Sequence, residues 1–323
     1  METGSRPQLS GGALATVEWD AAAGGVRLID QTRLPAEETF VVCRTAEEVA
    51  AAIRDMVVRG APAIGATAAY GTALAAREGR LAEGAALIRA ARPTARDLFR
   101  AVDMVQAAPD PLEAAHRIAR ETVEACRAMG RHGAELLPPE ARVVTICNTG
   151  ALATVDYGTG LGVIRAAHEQ GKRPFVYVME TRPRAQGARL TTWELRRLGI
   201  PHRLIADSAA GLLLQRGLAG AAISGADRVC ANGDVVNKVG TYPLALLCRE
   251  HGVPFYVAAP SSTLDGGTPD GAAVVIEERA AEEVTTFAPP GTAAWNPAFD
   301  VTPARLVTAL ITEVGVFSDG GWR

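Results

Sequence analysis

The stretch TICNTGALAT, residues 145–154, places a cysteine where an apolar run ends and a turn of small residues begins. Cys147 therefore has two interpretations. A free cysteine is most often a small apolar core residue. The NTGALAT segment has turn composition, however, and backbone N–H groups left free in a turn stabilise a thiolate. The stretch alone is compatible with a structural thiol and with a reactive one.

A second candidate, Asp227, ends the apolar run GAAISGAD, directly after Ser224-Gly225-Ala226. These small residues allow a ligand or another backbone segment to approach closely. Aspartate commonly caps turns and helices. A carboxyl group partly removed from water can instead hold its proton and act as an acid. Both roles are compatible with the sequence.

Candidate anion-binding residues occur in both halves of the chain. Arg59 and Gly60 precede a helix predicted to begin near Pro62, and helix N-termini offer free N–H groups and positive dipole charge to anions. Arg92 stands before a proline-led turn in ARPTARDLF. Lys238, predicted in a loop, is one of only two lysines, and a compact ammonium suits a phosphate or hydroxyl at short range. Each of these cations could also be an ordinary solvated surface residue.

After residue 139, short apolar runs (RVVTIC, RPFVYVME, PHRLIAD, GAAISGAD, VPFYVAAP) alternate with helical stretches. This alternation predicts a doubly wound, mostly parallel sheet. Ligands bind beyond the carboxyl ends of such strands. The residues that follow these runs include a thiol, carboxylates, an arginine, an amide and a hydroxyl: Cys147, Asn148, Glu180, Arg182, Asp207, Asp227 and Ser261. We therefore expect a site at this edge of the sheet.

Residues 44–134 show helical periodicity, preceded by ATVEW and GVRLID as short strands. The predicted fold class is α/β, with a mainly helical N-terminal domain carrying a small sheet, residues 1–135. A Rossmann-like, doubly wound parallel-sheet domain follows, residues 136–323. The segment TPARLVTALITEVG predicts a closing helix with Thr302 as N-cap and Pro303 at its first position.

The totals exclude several classes of protein. The 323 residues carry a net charge of −3, which argues against a nucleic-acid partner. No run of about 18 apolar residues occurs, so no membrane span is predicted. The start METGSRPQLSGG lacks the features of a signal peptide. Five cysteines without a C-x-x-C pair fit a reducing cytoplasm and argue against zinc. GTGLG lacks the full dinucleotide-loop pattern, so NAD binding is not predicted.

Longer motifs resemble one known family. RGAPAIG, ARPTA, CNTGALAT, ETRPRAQGARLTTWEL, GADRVCANGDVVNKVGTYPLALL and WNPAFDVTPARLVTALITE follow one another in the order seen in the methylthioribose-1-phosphate isomerases. VEW and LIDQTRLPAE near the start match as well. The resemblance covers about residues 17–316, and ETRPRAQGARLT is its most specific motif.

The resemblance implies an aldose–ketose isomerase of methionine salvage that converts 5-methylthioribose 1-phosphate to 5-methylthioribulose 1-phosphate. It implies a catalytic pair, Cys147 and Asp227. It assigns substrate binding to Arg59, Gly60, Ala61, Arg92, Gln186, Asn237 and Lys238. It implies no metal and no organic cofactor, and a cytoplasmic homodimer.

Two relatives of the same fold are the alternatives. One is ribose-1,5-bisphosphate isomerase. The other is the group of regulatory subunits of the translation-initiation nucleotide-exchange factor, which bind and assemble without catalysis. The presence of Cys147 and Asp227 beside predicted phosphate ligands argues against a purely regulatory role.

Overall fold

The computed structural model describes residues 14–93 and 95–318. Contacts within the chain divide it into two compact units. The first unit contains the described residues up to Glu124 together with Ala151–Tyr157. The second contains Ala125–Gly150 and the described residues from Gly158 onward. The boundary between residues 135 and 136 stays a prediction.

The first unit combines a small sheet with helices, as the sequence predicts. Its antiparallel strands are β1 Val17–Asp20, β2 Gly25–Ile29 and β3 Phe40–Cys43, in the order β1-β2-β3. Its helices are α1 Ala46–Arg54, α2 Ala61–Arg77, α3 Leu81–Ala91, α4 Arg96–Gln106 and α5 Pro111–Ala134, the last of which ends in the second unit. The sequence patterns do not predict β3, whereas α3 lies within the stretch 44–134 that shows helical periodicity.

Helix α2 is the centre of the first unit's core, with residues Ala63–Ala75 all buried. Alanine and glycine dominate it, so neighbouring helices can pack closely against every face. Its N-cap, Gly60, has φ 96°, and a Cβ atom there would lie 2.3 Å from the carbonyl oxygen of Ala153. Only glycine fits both the backbone angle and this contact. The start of α2 is therefore packed against the segment that follows Cys147 in the sequence.

The second unit is built on a seven-stranded sheet that confirms the predicted doubly wound fold. Its strands are β4 Arg142–Thr145, β5 Phe175–Met179, β6 His202–Ile205, β7 Ala221–Ser224, then β10 Phe255–Ala258, β13 Ala309–Thr312 and β14 Gly315–Ser318. The spatial order is β14-β13-β10-β7-β4-β5-β6, and every pair is parallel except β13 with β14. The chain order reverses between β4 and β7, which is where such folds bind ligands.

Helices connect the parallel strands: α6 Gly160–Glu169, α7 Thr192–Arg197, α8 Ala210–Gln215 and α9 Thr241–Glu250. All four coincide with predicted helical stretches. None of the helices in the described part of the chain combines the length and apolarity that crossing a bilayer requires.

A smaller sheet follows β7. Its strands are β8 Arg228–Cys230, β9 Val235–Lys238, β11 Leu264–Asp265 and β12 Phe299–Thr302, in the order β11-β8-β9-β12. A turn at Asn232-Gly233 joins β8 and β9 as an antiparallel hairpin. The predicted loop position of Lys238 is wrong, because Asn237 and Lys238 end β9 and pair with β12.

The predicted C-terminal helix is wrong. Its residues instead form the end of β12, a 3-10 turn at Ala304–Leu306, β13 and β14. Every residue of β13 is buried, as expected for an interior strand between β10 and β14. Val, Ile and Thr are abundant here and favour strands. Gly315, with φ 150°, opens the return strand β14, so the chain reverses where the prediction continues a helix.

Candidate active site

Cys147 lies in the turn that follows β4, as predicted. Its side chain is buried and its backbone is left-handed, with φ 66°. A non-glycine residue adopts this conformation only where its surroundings impose it. The Cys147 N–H donates to Thr181 Oγ1 at 2.8 Å, and the Cys147 carbonyl accepts from Thr191 Oγ1 at 2.7 Å. Two distant threonines thus hold the cysteine backbone.

Gln186 contacts the thiol. Its Nε2 atom donates to Cys147 Sγ at 3.6 Å, and its side chain is buried. The other amide atom, Oε1, is buried and has no hydrogen-bond partner among the described residues. A buried acceptor without a partner is costly, and a ligand hydroxyl would satisfy it. The structure therefore brings together two of the predicted site residues, one from each of two neighbouring strand ends.

The loop from Thr181 to Gln186, which we call the Gln186 loop, is held in an unusual shape. Thr181 and Ala185 have φ values of 64° and 53°. Asp207, at the end of β6, accepts from the backbone N–H groups of Thr181 and Arg182 at 2.8 and 2.7 Å. Gly187 follows the loop directly, and a Cβ atom there would clash with the Met179 carbonyl oxygen. A π-helical turn, Gly187–Thr191, follows and leads into α7.

Asn148 and Glu194 form a buried contact that supports the Cys147 turn. Asn148 Nδ2 donates to Glu194 Oε1 at 2.7 Å, and both side chains are buried. A Cβ atom on Gly150 would lie 2.3 Å from Glu194 Oε2, so the turn is packed closely onto this carboxylate. The sequence analysis misses Glu194, because a glutamate on a short amphipathic helix gives no sign of being buried.

Asp227 lies between β7 and β8 and is half-buried. Its N–H donates to the Val236 carbonyl at 2.9 Å, so it belongs to the β8–β9 hairpin. Gly225, two residues earlier, is the close-approach point expected of the small residues: a Cβ atom there would lie 2.9 Å from Thr149 Cγ2. Because Thr149 follows Cys147 by two residues, the turns carrying Cys147 and Asp227 are in contact.

The far strand of the hairpin carries Asn237 and Lys238. The register, with Arg228 opposite Val236, brings Asp227 to the level of Asn237. Asn237 Nδ2 donates to Thr241 Oγ1 at 2.9 Å. Lys238 Nζ donates to the Ala298 carbonyl at 2.7 Å and lies 4.8 Å from the centre of the Phe299 ring. An acid, an amide and an ammonium thus share one hairpin.

Asp300 stabilises the base of this hairpin. It pairs opposite Asn237, and its carboxylate accepts from the N–H groups of Gly240 and Tyr242 at the start of α9. Burial raises the pKa of Asp300 to about 6, although hydrogen bonds from Tyr242 and Gly240 act in the opposite direction.

The remaining predicted ligands belong to the first unit. Gly60 is the N-cap of α2 and Ala61 its first residue, with Arg59 directly before them, which confirms the predicted helix N-terminus. Arg92 lies at the C-cap of α3. Their functional roles stay predictions.

Four other cysteines lie elsewhere in the chain. Cys43, Cys126, Cys230 and Cys248 are all buried. Burial raises the pKa values of Cys43 and Cys230 to about 11 and that of Cys248 to about 12. These three groups stay protonated at neutral pH. Their surroundings fit structural roles.

In the second unit, the described geometry combines a thiol with an amide donor and a nearby turn bearing a carboxyl group. An ammonium group lies on the same hairpin as that carboxyl group. Such groups can add protons to, and remove protons from, the carbon and oxygen atoms of a small polar molecule.

Comparison with known proteins gives consistent results. The model of the initiation factor 2 subunit family matches residues 57–319. A methylthioribose-1-phosphate isomerase from Roseiflexus castenholzii is 53% identical, with 94% of each chain covered. The crystal structure of 5-methylthioribose 1-phosphate isomerase from Pyrococcus horikoshii OT3 is 40% identical, with a TM-score of 0.89, covering 99% of this chain and 97% of that one. The structure of translation initiation factor eIF-2B, subunit delta, from A. fulgidus is 44% identical, with a TM-score of 0.85 and coverage of 95% and 96%.

Proposed function

Because the chain belongs to the methylthioribose-1-phosphate isomerases of the initiation factor 2 subunit family, we propose that it interconverts 5-methylthioribose 1-phosphate and 5-methylthioribulose 1-phosphate in methionine salvage. The observation that carries the proposal at the site is the buried contact between Gln186 and the Cys147 thiol, beside the turn that bears Asp227.

The substrate explains why an acid is needed. Its anomeric oxygen carries phosphate, so the sugar ring cannot open as a free sugar does. Asp227 donates a proton to the ring oxygen while the bond from that oxygen to C1 breaks.

A hydrogen then moves from C2 to C1, and the C2 hydroxyl gives its proton back to the Asp227 carboxylate, which leaves a ketone at C2 and restores the acid. In an enediol route, Cys147 removes the C2 proton and C1 is protonated afterwards. In a hydride route, the hydrogen moves with its electron pair and Cys147 stabilises the charge that develops. The buried thiol and the Gln186 amide suit either route.

We assign substrate binding to the seven residues that the sequence resemblance implies. Arg59 and Arg92 supply positive charge, and Gly60 and Ala61 supply N–H groups at the start of α2. Lys238 supplies a further cation, and Gln186 and Asn237 supply amides that orient the sugar hydroxyls. The strongest support for a hydroxyl ligand is Gln186 Oε1, which is buried and has no hydrogen-bond partner in the described part of the chain.

We propose that the enzyme acts in the cytoplasm as a homodimer. The five cysteines include no C-x-x-C pair, which fits a reducing compartment. Sedimentation equilibrium of the purified protein tests the dimer, and a monomeric mass would contradict it.

A side-by-side assay tests the activity. The kcat/KM for methylthioribose 1-phosphate should be at least about 100-fold higher than that for ribose 1,5-bisphosphate, because an unpaired second phosphate is costly in an apolar pocket. Equal or reversed preference would favour a bisphosphate isomerase. Absence of turnover on both substrates would favour a regulatory role.

A further inference from the structure

The long connection between β11 and β12 contacts the Gln186 loop. We call residues 277–298 of this connection the strap. Arg184 Nη1 of the loop lies 2.7 Å from Glu283 Oε1 of the strap. Arg182 Nη2 donates to the Val284 carbonyl at 3.0 Å, and the Arg182 guanidinium lies 5.8 Å from the centre of the Phe287 ring. Two loop arginines therefore hold a segment about 100 residues away in sequence.

Glu283 is the centre of this contact. Besides Arg184, it accepts from Arg279 Nη2 at 2.7 Å and from Asn296 Nδ2 at 3.3 Å. Burial acts to raise the pKa of Glu283, but the hydrogen bonds from Arg279 and Arg184 outweigh it and lower the pKa to about 2. The carboxylate is thus charged at any physiological pH. Arg279 and Asn296 fix it within the strap, and Arg184 joins it to the loop.

The Gln186 loop requires such support. Thr181 and Ala185 are both left-handed, a conformation that costs about 1–3 kcal/mol per residue and persists only where contacts enforce it. Asp207 holds the beginning of the loop through the N–H groups of Thr181 and Arg182. Arg184, two residues before Gln186, is the point at which the strap holds its end.

We propose that Glu283 is a positioning residue: through Arg184 it fixes the end of the Gln186 loop, so that the Gln186 amide stays directed at the Cys147 thiol. Gln186 Oε1 then remains available to a substrate hydroxyl. The expected effect on kcat/KM rests on the proposed isomerase activity, whereas the expected effect on the conformation of the Gln186 loop does not.

The kinetic test compares neighbouring glutamates. Glu283→Gln removes the charge at constant size and should lower kcat/KM at least about 10-fold, because small misplacements of a substrate-contacting group are costly. Glu282→Gln is the matched control: this side chain is exposed and makes no hydrogen bond or ion pair within the described residues, so activity should stay within about two-fold.

A double-mutant cycle separates positioning from general structural damage. If Glu283 acts through Gln186, Glu283→Gln should cost less than about three-fold in a Gln186→Ala background. Equal losses in both backgrounds would overturn the proposal. Arg184→Gln removes the same ion pair from the loop side and should reproduce the effect, which gives a second variant if Glu283→Gln folds poorly.

Hydrogen exchange tests the proposal without turnover. The Ala185 amide, which donates to the Thr181 carbonyl at 2.9 Å, reports on loop closure. It should exchange at least about 10-fold faster in Glu283→Gln and at the wild-type rate in Glu282→Gln. Unchanged exchange in Glu283→Gln would refute the positioning role. An inactive wild type with the expected exchange would instead refute the proposed function alone.

Discussion

The turns that carry Cys147 and Asp227 are held in contrasting ways. Cys147 is fixed by side chains 34 to 44 positions away, namely Thr181, Gln186 and Thr191. Asp227 is fixed by a hairpin partner nine positions away, Val236. The cysteine is buried and left-handed, whereas the aspartate is half-buried at the start of a strand. We infer that the backbone at the thiol depends on contacts distant in the sequence, whereas the backbone at Asp227 is held by its own hairpin.

The largest effect is expected at Asp227. Asp227→Asn keeps the shape of the side chain and removes its transferable proton, so kcat should fall about 1,000-fold, within the range for a general acid. Because the hairpin is held by backbone hydrogen bonds, folding and substrate affinity should be retained. Steady-state kinetics and calorimetric titration measure the two quantities. A comparable loss of affinity would make Asp227 a binding residue.

Cys147→Ser should fold normally and lose at least about 100-fold in kcat, the scale of one proton-transfer or charge-stabilising group. The matched control is Cys43→Ala, which removes a thiol buried in β3 and should reduce stability rather than kcat. Wild-type turnover in the serine variant would remove Cys147 from the mechanism. The difference between the Cys147 and Asp227 turns would then concern packing alone.

Thr181→Val tests the long-range support of the thiol directly. Valine has the same shape but leaves the buried Cys147 N–H without its partner, which costs about 1–3 kcal/mol. We expect a similar loss in the free energy of unfolding and a decrease in kcat of about 10-fold. Thr192→Val is the control, since that hydroxyl only donates to a carbonyl in the preceding turn, that of Ala188. Equal kinetic effects in both variants would contradict the inferred dependence.

The same contrast explains what the sequence can predict. Short apolar runs predict the parallel strands, and each run can be recognised from a few consecutive residues. They also predict that Cys147 and Asp227 lie at the ends of two strands. The contacts of Thr181, Gln186 and Thr191 with the cysteine are set by chain pairing and have no local signal. For the same reason the segment from Thr302 onward looks helical in isolation. Its strand conformation is set by pairing with β9 and β10.

The smallest effect concerns the base of the hairpin, where Asp300 pairs opposite Asn237. Its pKa is raised by burial from 3.8 to about 6, so the folded protein binds more protons than the unfolded chain between these values. The free energy of unfolding therefore falls as pH rises from about 4 to about 6. Asp300→Asn removes this titration, and the variant should gain stability relative to wild type across that interval, by at most about 3 kcal/mol.

Glu283 changes the free energy of unfolding with pH in the opposite direction to Asp300, so Glu283→Gln is measured in the same experiment. The pKa of Glu283 is lowered from 4.5 to about 2, so its contribution is present above pH 4.5 and is lost as the pH falls toward 2. Urea unfolding of both variants from pH 3 to 7 compares the two carboxylates. For Asp300→Asn, the hydrogen bonds from Gly240 and Tyr242 are retained in part by the amide oxygen, so kcat should change no more than about two-fold. If the wild type instead gained stability relative to Asp300→Asn as the pH rose, those N–H groups would outweigh burial. The hairpin side of the site would then be held by a charged group, as the Gln186 loop is by Glu283.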